Sequence, residues 1–108
     1  MTALDQSPLN ASSPPLTAIV TGASSGIGRA TALALASRGA HLALLARNEA
    51  ALQEVAREVE RLGGGAVVCV ADLSSAQERE GAVERALKHL GGLELLVNAA
   101  GVIASDSV

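Results

Sequence analysis

Residues 21–28 read TGASSGIG and follow directly on the apolar run Leu16, Ala18, Ile19 and Val20. An alanine-rich stretch comes straight after them. A glycine turn that leaves a strand and opens a helix brings the helix's free N–H groups and positive dipole end to the edge of a sheet. An anion is stabilised there. A pyrophosphate approaches only if no side chain stands at the contact points, and strand and helix pack closely only where Cβ is missing. Gly22, Gly26 and Gly28 have the spacing G-x-x-x-G-x-G, which differs from the more widely met G-x-G-x-x-G. Three glycines alone also suit an ordinary tight turn; the strand before and the helix after favour the phosphate seat.

Outward from this turn, short apolar runs recur at 16–20, 42–46, 66–71 and 93–97, with helical patterns between them. Such runs suit strands buried on both faces, and intervening helices make the sheet parallel with right-handed crossovers. The order β-α-β-α-β-α-β predicts an α/β, Rossmann-type doubly wound parallel sheet, truncated after the fourth strand. In the second helix Leu52, Val55, Val59 and Leu62 form the inward stripe, Asn48 is the N-cap, and the glycines at 63–65 stop it. The third helix opens with Ser75 three residues before Glu78, a capping-box spacing, and is predicted to turn Val83, Leu87 and Leu90 inward. Glu84 and Lys88 are spaced for a helical ion pair. Residues 1–15, rich in Ser and Pro, read as a flexible leader, and 16–108 as the N-terminal part of a dinucleotide-binding domain.

The composition narrows the function classes. At 108 residues, 49% hydrophobic and 18% charged, the chain fits one globular domain with an aliphatic core, since Phe, Trp and Tyr are absent. A net charge of -3 and the lack of aromatics disfavour nucleic-acid binding. Cys69 is the only cysteine, so it forms no internal disulfide and reads as a small buried hydrophobe in a reducing compartment. With neither a signal-peptide pattern nor an apolar run of membrane-spanning length, a cytoplasmic protein without membrane or metal partners is expected. His41 at a strand start and His89 in a helix's last turn take structural readings.

The end of the second strand reads LLARN at 44–48. NAD-selective folds place an acid about 20 residues beyond the glycines, whereas a nearby arginine suits a 2′-phosphate. Ala46 carries no carboxylate and Arg47 offers a planar fork of donors, so NADP (NADPH) is expected over NAD. An exposed arginine at a helix start is the alternative reading of Arg47.

On these residues the chain resembles the short-chain dehydrogenases and reductases. TGASSGIG matches that family's glycine motif, ADL at 71–73 and NAAG at 98–101 match two more in the right order, and the likeness covers about residues 16–104. The resemblance implies that the backbone around Ser24 to Ile27 holds the phosphates, with the Ser24 and Ser25 hydroxyls near the adenosine ribose. It implies further that Asp72 accepts from the adenine amino group and that the Leu73 N–H donates to the ring. The backbone of Asn98, Ala99 and Ala100 would line the ribose side, with Gly101 permitting close approach; the family often has a second Asn where Ala99 stands. Read without the resemblance, Asp72 serves equally to bias a helix start, and Asn98 to bond its own backbone at a strand end. The family's catalytic serine, tyrosine and lysine have no place here, because Tyr is absent, Lys88 is the only lysine, and Ser105 and Ser107 fall too early.

The implied function is an NADP(H)-dependent oxidoreductase acting on a small carbonyl or alcohol substrate, as a homo-oligomer when full length. These residues would be its cofactor-binding part, inactive alone. The alternative is a non-catalytic dinucleotide-binding module or truncated remnant. The apolar stretch LELLV at 93–97 would present an unpaired edge and make the isolated chain poorly soluble.

Overall fold

A computed structural model describes residues 14–99. Their elements are β1 (Thr17–Thr21), α1 (Gly26–Ala36), β2 (His41–Ala46), α2 (Glu49–Arg61), β3 (Gly65–Val70), α3 (Ala76–Leu90) and β4 (Leu95–Asn98). The strands form one sheet, all parallel, in the order β3-β2-β1-β4. From β1 the chain steps outward to β2 and β3, then returns past β1 to place β4 on its other side. Right-handed crossovers that travel in opposite directions must carry their helices on opposite faces of the sheet.

The two cores show this division. Ala18, Val20, Leu42 and Leu44 pack with Ala32 and Ala36 of α1 and with Leu52, Val55 and Val59 of α2. The alternate strand residues Ile19, Ala43 and Leu45 pack with Cys69, Ala71 and, from α3, Ala82 and Ala86. Because β1 and β2 are covered on both faces, their apolar residues run without interruption. Burying each Leu or Val is worth about 1.5–3 kcal/mol, so the first cluster, with its Leu and Val side chains from α2, supplies more of the drive than the alanine-lined second.

Some expected contacts differ. Ala82 and Ala86, not Leu87, form the buried centre of α3; Val83 and Leu90 flank it, and Leu87 is 38% exposed. Alanines let the helix lie close to the sheet, and Leu87 stands about 100° round the helix from Ala86. Leu62 is likewise exposed, because α2 stops at Arg61 and Leu62 is already its C-cap, followed by Gly63 at φ 104°. Gly65 belongs to β3 rather than to the helix stop. Among the described residues the ion pair that forms is Glu58 with Arg61, one helical turn apart, and not Glu84 with Lys88. Cys69 is buried, as expected; burial pushes its thiol above the ordinary value, and the neighbouring Arg85 guanidinium offsets part of this. Leu93, Leu95 and Leu96 are exposed on and before β4, which is an edge strand in this sheet. Most of the leader lies outside the described residues.

Candidate functional site

Parallel strands end on one edge, and their register brings the ends level. Thr21 pairs with both Leu45 and Asn98, and Ala46 pairs with Val70. The segments that leave these ends carry the residues singled out above: Gly22 after β1, Arg47 after β2, Asp72 after β3, and Asn98 closing β4. The chain reverses its direction of travel between β1 and β4, and in open parallel sheets ligands bind in the crevice outside such a switch point. His41 and His89 line a shallow cleft at the opposite, amino edge.

The turn from β1 into α1 is built around bare backbone. Gly22 and Gly26 have φ 64° and 58°, the left-handed region that glycine enters without steric cost. A Cβ at Gly28 would stand 2.1 Å from the Gly22 carbonyl oxygen, so strand and helix approach here as only glycine allows. Ala23 N–H donates to the Leu45 carbonyl at 3.3 Å and ties the turn to β2. Ser25 is the N-cap, yet its side chain makes no capping bond, and the first turn of α1 holds no acid. By contrast, Asn48 accepts from Ala51 N–H at 3.0 Å and Ser75 Oγ accepts from Glu78 N–H at 3.2 Å, with Glu49 and Glu78 in the first turns of α2 and α3. The helix without a side-chain cap is the one that opens at the switch point.

The glycine turn is also tied to β4. Thr21 Oγ1 lies 2.9 Å from Asn98 Oδ1, to which it donates, and 3.3 Å from the Val97 carbonyl oxygen, across more than seventy residues of sequence. Thr21 is 8% exposed, a buried polar group whose bond fixes Asn98 beside the turn. Its polarity at the end of an apolar run was the signal in the sequence.

After β3 the chain forms a tight loop whose polar groups bond one another. The Asp72 carboxylate accepts at Oδ1 from the Ser74 hydroxyl, 2.7 Å, and from the Ser74 N–H, 3.0 Å. These two bonds hold the carboxyl below its ordinary value, with a smaller contribution from the Arg47 charge, which places Arg47 and Asp72 in one electrostatic neighbourhood. The expected capping box is half made: Ser75 caps Glu78, but Glu78 does not return to Ser75. Ser75 N–H already donates to the Asp72 carbonyl at 3.0 Å, and Glu78 Oε1 accepts instead from Asp72 N–H at 2.8 Å. Arg79 donates to the Leu73 carbonyl at 2.8 Å. Arg79 escapes a reading of the sequence because its partner is a backbone carbonyl, and Ser74 because its bonds to the Asp72 carboxylate depend on the turn the loop makes.

The structure thus sets Gly22, Ser24, Ser25, Gly26, Ile27, Gly28, Arg47, Asp72, Leu73, Asn98 and Ala99 along one edge of the sheet. Ala100 and Gly101 lie outside the described residues. Among the described residues no three His, Cys, Asp or Glu side chains gather to hold a metal ion, and no helix is long and apolar enough to cross a membrane.

Residues 16–108 match the family model for short chain dehydrogenase. The chain is 46% identical to 11-beta-hydroxysteroid dehydrogenase A of Sesamum indicum, over 80% of this chain and 25% of that protein. It is 38% identical to the human hydroxysteroid dehydrogenase-like protein 2, over 82% of this chain and 23% of that protein. Among solved structures, L-sorbose reductase from Gluconobacter frateurii, complexed with NADPH and L-sorbose, superposes with a TM-score of 0.71 at 35% identity, covering 76% of this chain and 32% of that one. The chain therefore spans about a quarter of the length of these curated relatives.

Proposed function

The chain belongs to the short chain dehydrogenase family, an oxidoreductase family, and from that premise we propose that residues 16–108 form the NADP(H)-binding part of an oxidoreductase acting on a small carbonyl or alcohol. The observation that carries the reading is the uncapped start of α1, set by bare glycine backbone at the switch point of the sheet. The residues fit a dinucleotide: the space a Gly28 Cβ would fill is taken up by close backbone approach, and the α1 N–H groups face the position a pyrophosphate takes.

When bound, the cofactor supplies the hydride chemistry. This chain's own residues bind and orient it. The N–H groups at the start of α1 stabilise the phosphate charge, and the Ser24 and Ser25 hydroxyls stand beside them. Arg47 follows Ala46, which is 6% exposed and carries no charge, so a 2′-phosphate would meet a guanidinium with no carboxylate at position 46. At the far end the Asp72 carboxylate, ionised at neutral pH, accepts from the adenine amino group while the Leu73 N–H donates to the ring. Thr21 holds Asn98 so that the Asn98 to Ala99 backbone closes the ribose side. An end of β2 without an acid and followed by Arg47 is why NADPH is favoured over NADH.

Calorimetric titration of the full chain with NADPH and NADH tests this. NADPH is expected to bind at least about tenfold more tightly, the worth of one charge-assisted contact, and Arg47→Asp to abolish or reverse the preference. Equal affinity for both cofactors, unchanged by Arg47→Asp, would overturn the assignment to NADP.

A further inference from the structure

We infer that Glu78 and Arg79, in the first turn of α3, are positioning residues that set the selectivity for adenine at Asp72 and Leu73. The inference rests on the adenine reading proposed above. Two groups are asked to read the base, the Asp72 carboxylate and the Leu73 N–H, and they are adjacent on an exposed loop whose backbone has no sheet partner to hold it. Each peptide group beside them is gripped by a charged side chain. The Glu78 carboxylate takes the Asp72 N–H at 2.8 Å, and the Arg79 guanidinium takes the Leu73 carbonyl at 2.8 Å. Ser74 bonds the Asp72 carboxylate at Oδ1, through both its hydroxyl and its N–H.

The partner that Glu78 takes separates this arrangement from ordinary helix capping. A glutamate at this spacing normally returns to the N–H of the N-cap residue. Here that N–H is given to the Asp72 carbonyl, and Glu78 reaches three residues further back, to the peptide that sets the direction of the Asp72 side chain. Arg79 adds nothing to the cap: its acceptor is the carbonyl of the second base-reading residue. With opposite charges on successive residues, the helix start grips an N–H on one side of the reading pair and a C=O on the other. A loop held at both ends presents its acceptor and donor at a fixed separation, which is what distinguishes adenine, with its amino group and ring acceptor, from a base that carries a carbonyl instead.

The test compares NADPH with its hypoxanthine analogue, which replaces the donor amino group by an acceptor, by calorimetric titration of the full chain. The wild type is expected to prefer NADPH by about tenfold or more, the worth of one hydrogen bond to a charged group. Glu78→Ala is expected to bring the ratio of the two affinities to within about threefold of unity, while Glu78→Gln, which keeps an acceptor in place, retains most of it. Arg79→Ala is expected to lower the ratio as well, because the ring nitrogen beside the amino group of adenine, which can accept from the Leu73 N–H, carries a hydrogen in hypoxanthine. A purely structural role predicts instead that Glu78→Ala weakens both ligands equally, or lowers the melting temperature with the ratio intact; either result overturns the inference. A wild-type ratio near one, unmoved by Asp72→Ala, overturns the adenine reading itself and this inference with it. A wild-type preference lost in Asp72→Ala and kept in Glu78→Ala overturns this inference alone.

Discussion

The starts of α1 and of α3 solve the same problem in opposite ways. Every helix leaves its first N–H groups without partners inside the helix. At α3 the chain fills the need itself, with Ser75 as the cap and Glu78 in the first turn, while Glu78 and Arg79 also reach back and tie the preceding loop to the helix. At α1 the N-cap Ser25 leaves its side chain unused and no acid follows, although serine is a good cap and sits in the right place. Local stability is given up at α1 and secured at α3. The two starts lie at the same edge of the sheet, so the difference sets apart a start left to bare backbone from one that holds its neighbours still.

The largest effect is expected where α1 meets β1. Gly28→Val sets side-chain atoms against the Gly22 carbonyl, where even a Cβ would stand 2.1 Å away. Overpacking of this kind costs about 1–3 kcal/mol or more, and chemical denaturation should show it together with loss of NADPH binding in titration. A variant that kept both stability and affinity would remove the reason for the glycine.

Ser25→Asp sharpens the comparison by making α1 resemble α3. A charged cap at a helix start without a side-chain capping bond is expected to stabilise the chain by about 0.5–1 kcal/mol in denaturant titration, since an anion there is favoured. The same carboxylate should weaken NADPH binding by about tenfold or more, because it repels the phosphates at the helix start. Gain of stability with unchanged affinity would break the contrast between the two helices.

Asn48→Ala removes a cap from α2, a helix whose start is already satisfied within the chain. Stability should fall by about 1 kcal/mol, a decrease of several degrees in melting temperature for a domain this size. The smallest effect belongs to the Asp72 loop. Its carboxyl is held below the ordinary value first by the Ser74 hydroxyl and then by the Ser74 N–H, so Asp72 favours the folded state above the ordinary carboxylate value and loses that contribution as pH falls through its lowered one. Ser74→Ala removes the larger cause, and a carboxyl-carbon NMR titration should show the Asp72 midpoint move up.

Much of the candidate site was legible because its elements are local. The glycine spacing, the short apolar runs and the Ser75 cap are statements about residues within a few positions of one another, and the structure forms the elements where those patterns stand. The inward face of α3 was misjudged because size suggested Leu87, whereas the close approach of helix to sheet admits alanine at Ala82 and Ala86. Thr21 and Asn98 meet only when β4 returns to lie beside β1, and nothing in either segment names the other.

By itself the sequence determined which segments are strands, which are helices, and where the bare glycine turn stands, since apolar period, caps and glycines act over a turn or a strand. Tertiary structure alone decided the order β3-β2-β1-β4, and with it the switch point beside β1, the Thr21–Asn98 bond, and the choice of Asp72 N–H as partner for Glu78. Strand order is set by which faces can be covered together, and a side chain's partner by which N–H groups the fold has already taken; both are properties of the assembled chain.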